Sequence, residues 1–87
     1  MTKPNILLIM ADQLAPQALS LYGNKVCKTP HLDALADKGI VFENAYSNNP
    51  ICVPSRASML TGQLTPEIAV YDNANDIGSS IPTMAHY

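Results

Sequence analysis

The run Asn5-Ile6-Leu7-Leu8-Ile9-Met10-Ala11 constrains this chain more than any other stretch. It is continuously apolar, with neither the alternation of a half-buried strand nor the polar face of an amphipathic helix. That pattern suits a strand covered on both sides within a parallel sheet. The run is too short for a membrane span or a signal-peptide hydrophobic region, and a single basic residue, Lys3, precedes it. We therefore expect a cytoplasmic protein that does not engage a membrane.

A second apolar run, Ile40 to Tyr46, follows a clear helix signal. Thr29 stands at the N-cap, Pro30 at the first helical position, Leu32, Leu35 and Ala36 on one face, and Gly39 past the end. Strand, helix and strand joined by short turns form the parallel crossover unit, so the expected fold class is α/β, with parallel strands and crossover helices. Gln13 to Asn24, with Pro16 and Tyr22-Gly23-Asn24, reads as a loop with a short helical turn. Two buried strands need neighbouring strands and helices on both faces. With 87 residues the chain cannot supply them, so residues 1–87 read as a fragment or truncated product of a larger α/β protein.

Apolar residues make up 47% of the chain and charged ones 14%, a composition that favours folding over disorder. The net charge is −2, and Lys3, Lys25, Lys28, Lys38 and Arg56 are scattered, which argues against a nucleic-acid partner. Cys27 and Cys52 form no Cys-x-x-Cys pair, so each thiol is judged alone.

Cys52 follows the turn-rich Ser47-Asn-Asn-Pro-Ile. Pro54 and Ser55 resemble a helix opening, Ala57 to Leu60 continue it and Gly62 caps it, which puts Cys52 just ahead of a helix N-terminus. Backbone N–H groups and the helix dipole favour an anion there, and Arg56, one turn on, offers a planar fork to a sulfate or phosphate oxygen. Asp12 ends the first apolar run, where open α/β sheets place their ligands, and Gln13 adds an amide oxygen beside it; hard divalent cations take both donor types. Equally, Asp12 can cap the next turn, and a lone Cys can be a small buried hydrophobe. His31 and His86 show no ligand spacing and suit surface or capping roles. Cys27 lacks a partner motif, and Phe42 and the tyrosines form no visible aromatic cage. Beyond Gln63 the chain reads as a loop, with a brief extended piece at Ile68 to Tyr71 and a helix start at Ser80-Ile81-Pro82-Thr83.

The segment Cys52-Val53-Pro54-Ser55-Arg56-Ala57-Ser58-Met59-Leu60-Thr61-Gly62 resembles the type I sulfatase signature, Cys-x-Pro-Ser-Arg followed by x-x-x-Leu-Thr-Gly, at every defined position. Lys3 to Asp12 resembles the first strand and leading metal-binding Asp of that family, a branch of the alkaline phosphatase superfamily. Many sulfatases carry a second Asp where this chain has Gln13. The Asp12-Gln13 pair resembles choline sulfatases and phosphonate monoester hydrolases, and Gln63 to Asp76 with Ile81 to Tyr87 resembles choline sulfatases.

The resemblance implies that a maturation enzyme oxidises Cys52 to formylglycine, reading Pro54 and Arg56 as part of its target. The hydrated aldehyde then attacks the sulfur of a sulfate ester, such as choline-O-sulfate, and later expels sulfate by C–O cleavage. Cys52 and Arg56 would be catalytic, and Asp12, Gln13 and the modified Cys52 would bind a divalent metal, Ca²⁺ first and Mg²⁺ or Mn²⁺ next. Asn73 would contact the sulfate; as a residue type in that setting it equally suits a polar Asx turn. Further ligands, a Lys and one or more His come from downstream sequence in such enzymes, so this segment alone is expected to turn over negligibly. A homo-oligomer is compatible with the resemblance.

A cysteine-dependent phosphatase requires Cys-x-x-x-x-x-Arg, and Ser58 occupies that Arg position. A P-loop is missing altogether. The readings left beside a sulfatase are a phosphonate monoester or phosphodiester hydrolase with the same nucleophile, and a non-catalytic remnant or interaction module.

Overall fold

The computed structural model describes residues 2–87, in two compact units, Met1–Phe42 and Glu43–Tyr87. Among the described residues every regular element is a helix.

The expected strands are therefore corrected. Neither Asn5–Ala11 nor Ile40–Tyr46 forms one, and the α/β class is not displayed among the described residues. The reason lies in what a parallel ladder requires. Every bond in it is made to another strand, and buried strands also need both faces covered. Neither condition is met, and Ile6, Leu7 and Ile9 stand 88%, 83% and 82% exposed.

Elsewhere in the first unit, short 3-10 turns at Pro16–Ala18 and Ser20–Tyr22 lead to Gly23, whose φ of 95° is readily adopted by glycine. Helix α1, Pro30–Ala36, forms where the Thr29-Pro30 signal predicts, with Asp33 placed favourably in its first turn. The Thr29 hydroxyl does not cap α1; it lies 2.6 Å from Ser20 Oγ, which also donates to both oxygens of Asp33 at 2.8 and 2.7 Å. Polar bonds thus join α1 to the Ser20 turn. The apolar face expected to be its inner one is open instead, with Leu32 41% and Leu35 66% exposed.

The second unit has a core. Helix α2, Cys52–Thr61, is followed by the single-turn α3, Thr65–Ile68, and a 3-10 turn, Met84–His86. Pro54 and Ala57 of α2 are buried, Ala57 packs with Ile68 and Val70, and Val53, Ile77 and Ile81 close the edges. The extended piece expected at Ile68 to Tyr71 is replaced by the end of α3, whose Glu67 carboxylate accepts the Leu64 N–H at 2.8 Å. His86 Nδ1 accepts the Thr83 N–H at 2.9 Å, the capping role expected for it.

Gly62 shows why α2 ends in Thr-Gly. Its φ of 70° lies in the left-handed region, and its N–H returns to Ser58 O at 2.8 Å. Thr61 Oγ1 meanwhile donates to Ala57 O at 2.8 Å, so this carbonyl near the helix end also has a partner.

Candidate active site

The site is built around the mouth of α2. Cys52 is the first helical residue, one place further in than the sequence signal put it, because extended Ile51 (φ −93°, ψ 142°) occupies the N-cap. Both Cys52 and Cys27 are free and exposed. The orientation of α2 exposes Cys52 and Arg56, which are one turn apart, while Pro54 and Ala57 enter the core. Within one short motif, then, one pair of side chains anchors the helix and the other pair faces outward.

The opening turn is braced from two directions. On one side Asn49 Oδ1 accepts the Ile51 N–H at 2.8 Å, Ser47 Oγ lies 3.0 Å from Ser55 Oγ, and Asn48 Nδ2 donates to Ser58 Oγ at 2.9 Å. On the other, Val53 N–H donates to Asn73 Oδ1 at 3.0 Å. Ser55 of the signature and Ser58 thus hold the preceding loop to the helix. Sequence reading missed Ser47, Asn48 and Asn49 in this role, although short polar side chains just ahead of a helix are the residues that bond nearby backbone.

Asn73 is brought to the helix mouth, whereas the Asx turn around it is made by its neighbours. Asp72 Oδ1 accepts from Ala74 N–H at 2.8 Å, and Asn75 Oδ1 accepts from Tyr71 and Asp72 N–H at 3.0 and 3.2 Å. Cys52, Arg56 and Asn73 all lie in the second unit, and Asp12 and Gln13 lie in the first. Asp12 and Gln13 are exposed, and Gln13 has φ 55°, uncommon for a side chain of its kind. Asp12 and Arg56 each engage another group.

The carboxylate of Asp12 and the amide oxygen of Gln13 fit a hard divalent cation in kind. In number they fall short: among the described residues no group of three or more His, Cys, Asp or Glu comes together to hold a metal. Among the described residues, too, no helix is long and apolar enough to cross a membrane.

The sulfatase family model matches residues 4–87, which include the motif folded as α2 with its cysteine at the mouth. The chain belongs to the sulfatase family. It is 46% identical over 85 residues to a choline-sulfatase of Rhizobium meliloti, an alignment covering 98% of this chain and 17% of that protein. An N-acetylglucosamine-6-O-sulfatase of Bacteroides thetaiotaomicron is 42% identical over 73 residues, covering 84% of this chain and 13% of the relative. An arylsulfatase of Clostridium perfringens is 53% identical over 60 residues, covering 69% and 12%. The chain therefore spans less than a fifth of these relatives. No solved structure matches it.

Proposed function

We propose that the chain forms part of the catalytic machinery of a sulfuric ester hydrolase, with Cys52 as the position that becomes the formylglycine nucleophile. The observation that carries this reading is the placement of Cys52, exposed as the first residue of a helix whose whole sequence is the sulfatase signature. An aldehyde hydrate at position 52 would supply one hydroxyl to bond sulfur as the ester's alcohol leaves with the S–O electron pair, and a second whose loss of a proton would break the C–O bond, release sulfate and restore the aldehyde; an unmodified thiol would not follow this route. A divalent cation, if held there, would supply charge that favours the ionised hydroxyl.

The chain's own residues have simpler tasks. Asp12 and Gln13 would hold the cation, together with position 52. Arg56 offers donors to the nucleophile or to a sulfuryl oxygen. The N-terminal end of α2 favours negative charge, as a sulfate ester brings, and Asn73 contributes an amide toward the sulfate. The partners in this reading are a small sulfate ester and a maturation enzyme acting on Cys52, in the cytoplasm. Choline-O-sulfate is the first substrate to test, given the similarity to a choline-sulfatase. With cation donors this few, the segment alone turns over negligibly.

Intact mass is the first measurement. The dehydrated aldehyde lies about 18 Da below the thiol, while its hydrate returns to the thiol mass, so the peptide is best trapped with a hydrazide. In a complete, matured enzyme carrying this segment, Cys52→Ala is expected to lower kcat by roughly a thousandfold or more. Undiminished activity would overturn the assignment. The Asp12-Gln13 pair also supports a second reading, hydrolysis of phosphonate monoesters or phosphodiesters, and relative kcat/KM on sulfate and phosphate esters separates the two.

A further inference from the structure

We propose that Asn73 is a positioning residue, whose side-chain oxygen holds the opening turn of α2, and with it position 52, against the Tyr71–Asn75 turn. Its catalytic meaning rests on the sulfatase reading; the positioning itself rests on geometry. The N–H groups of a helix's first turn have no acceptor within the helix. In α2 they are dealt with singly. Pro54 brings none, the N-cap Ile51 donates to Asn49 Oδ1 at 2.8 Å, and Val53 donates to Asn73 Oδ1 at 3.0 Å. Cys52 carries the remaining donor. The usual source of such a bond is the N-cap side chain, but the N-cap is Ile51, which has no side-chain acceptor. The cap is supplied instead from 20 positions along the chain.

A carboxamide has one acceptor atom and two N–H donors. A backbone N–H therefore fixes which way the Asn73 amide lies: Oδ1 takes Val53, and Nδ2 is left to donate elsewhere. The same bond that holds the helix thus reserves the donor end of the side chain for an acceptor such as a sulfate oxygen. Both ends of the bond are tied to one core. Val53 packs against Ala57, Ile68 and Val70, and the turn bearing Asn73 follows directly from Val70, which is fully buried, and is closed by Asp72 and Asn75. Losing the bond would loosen the opening turn of α2 while leaving the rest of the helix seated.

Two substitutions of nearly the same shape separate this role from mere space filling. Asn73→Leu removes the acceptor. Asn73→Asp keeps an oxygen in place, and its charge suits a helix N-terminus. The readout is amide hydrogen exchange in the 87-residue chain, comparing Val53 N–H with Gly62 N–H at the far end of the same helix. N73L is expected to accelerate Val53 exchange roughly five- to tenfold relative to Gly62, the loss of a typical capping bond, and N73D to restore it. Unchanged Val53 exchange in N73L would overturn the proposal, as would N73D exchanging as fast as N73L. Equal acceleration at Gly62 would overturn it too, since Asn73 would then support the whole helix. None of these outcomes depends on catalysis, so failure here is distinguishable from failure of the sulfatase reading, which Cys52→Ala tests.

Discussion

In Glu43–Tyr87, Val70, Ala57 and Ile68 are 0%, 2% and 4% exposed, whereas in Met1–Phe42 Ile6, Leu7 and Ile40 stand 88%, 83% and 80% exposed. Hydrophobicity does not separate the two units, for the first holds the longest apolar run in the chain. What separates them is the range over which their apolar residues find partners. The second unit closes a helix, a single turn and the irregular segment after it onto one another within a few tens of residues, and those contacts bury side chains locally. The first places its apolar residues in runs suited to a sheet, and a sheet strand makes none of its ladder bonds within itself. A site at the mouth of α2 can thus be shaped by local sequence, while one ending in Asp12 depends on surroundings that the ladder would bring.

The largest effect expected from this contrast comes from placing a carboxylate on each side of it. Val70→Asp buries an unpaired charge in a core of very few residues, at a cost of about 3 kcal/mol or more, enough to abolish the helical structure of the second unit. The same substitution at Ile9, already 82% exposed, should change stability by less than ~0.5 kcal/mol and improve solubility. Circular dichroism with urea titration reads both. Equal costs at the two positions would erase the distinction.

Legibility in the sequence divides along the same line. Thr29-Pro30 and the Pro54 to Gly62 segment announced α1 and α2 because caps, prolines and glycines act on their immediate neighbours. The one-residue shift at Cys52 is within the usual ambiguity of helix ends. The expected strands do not form among the described residues, since an apolar run states a preference for burial and says nothing of whether partners are present. The spacing of Cys52 and Arg56 placed both toward the same helix end, and their shared exposure on α2 is what the structure adds. The Asn73 bond to Val53 had no signal of its own in composition or period, as its partner is 20 positions away. The resemblance drew attention to Asn73 for another reason, its expected contact with sulfate.

A smaller effect sharpens the picture within the second unit. Gly62→Ala should cost about 1 kcal/mol, from the left-handed φ alone, because an added Cβ there meets nothing within 4 Å. The loss should appear as a lowered urea midpoint with an unchanged slope. A clearly larger loss would mean that the Thr61-Gly62 turn contributes more than closure of the helix.

The smallest effect is the most informative about the first unit. Leu35 lies on the face of α1 where a core was expected, yet it is 66% exposed, and the helix is joined to the Ser20 turn through Asp33 and Thr29. Leu35→Ala removes little buried surface and gains a little helix propensity, so the net change should stay within ~0.5 kcal/mol of zero. In a complete enzyme where that face is covered, the same truncation should cost about 2–4 kcal/mol, as it does in a packed core. Comparing the two by urea unfolding measures how far the apolar face of α1 depends on contacts from beyond residues 1–87, and similar small costs in both settings would show that this face is a surface in either.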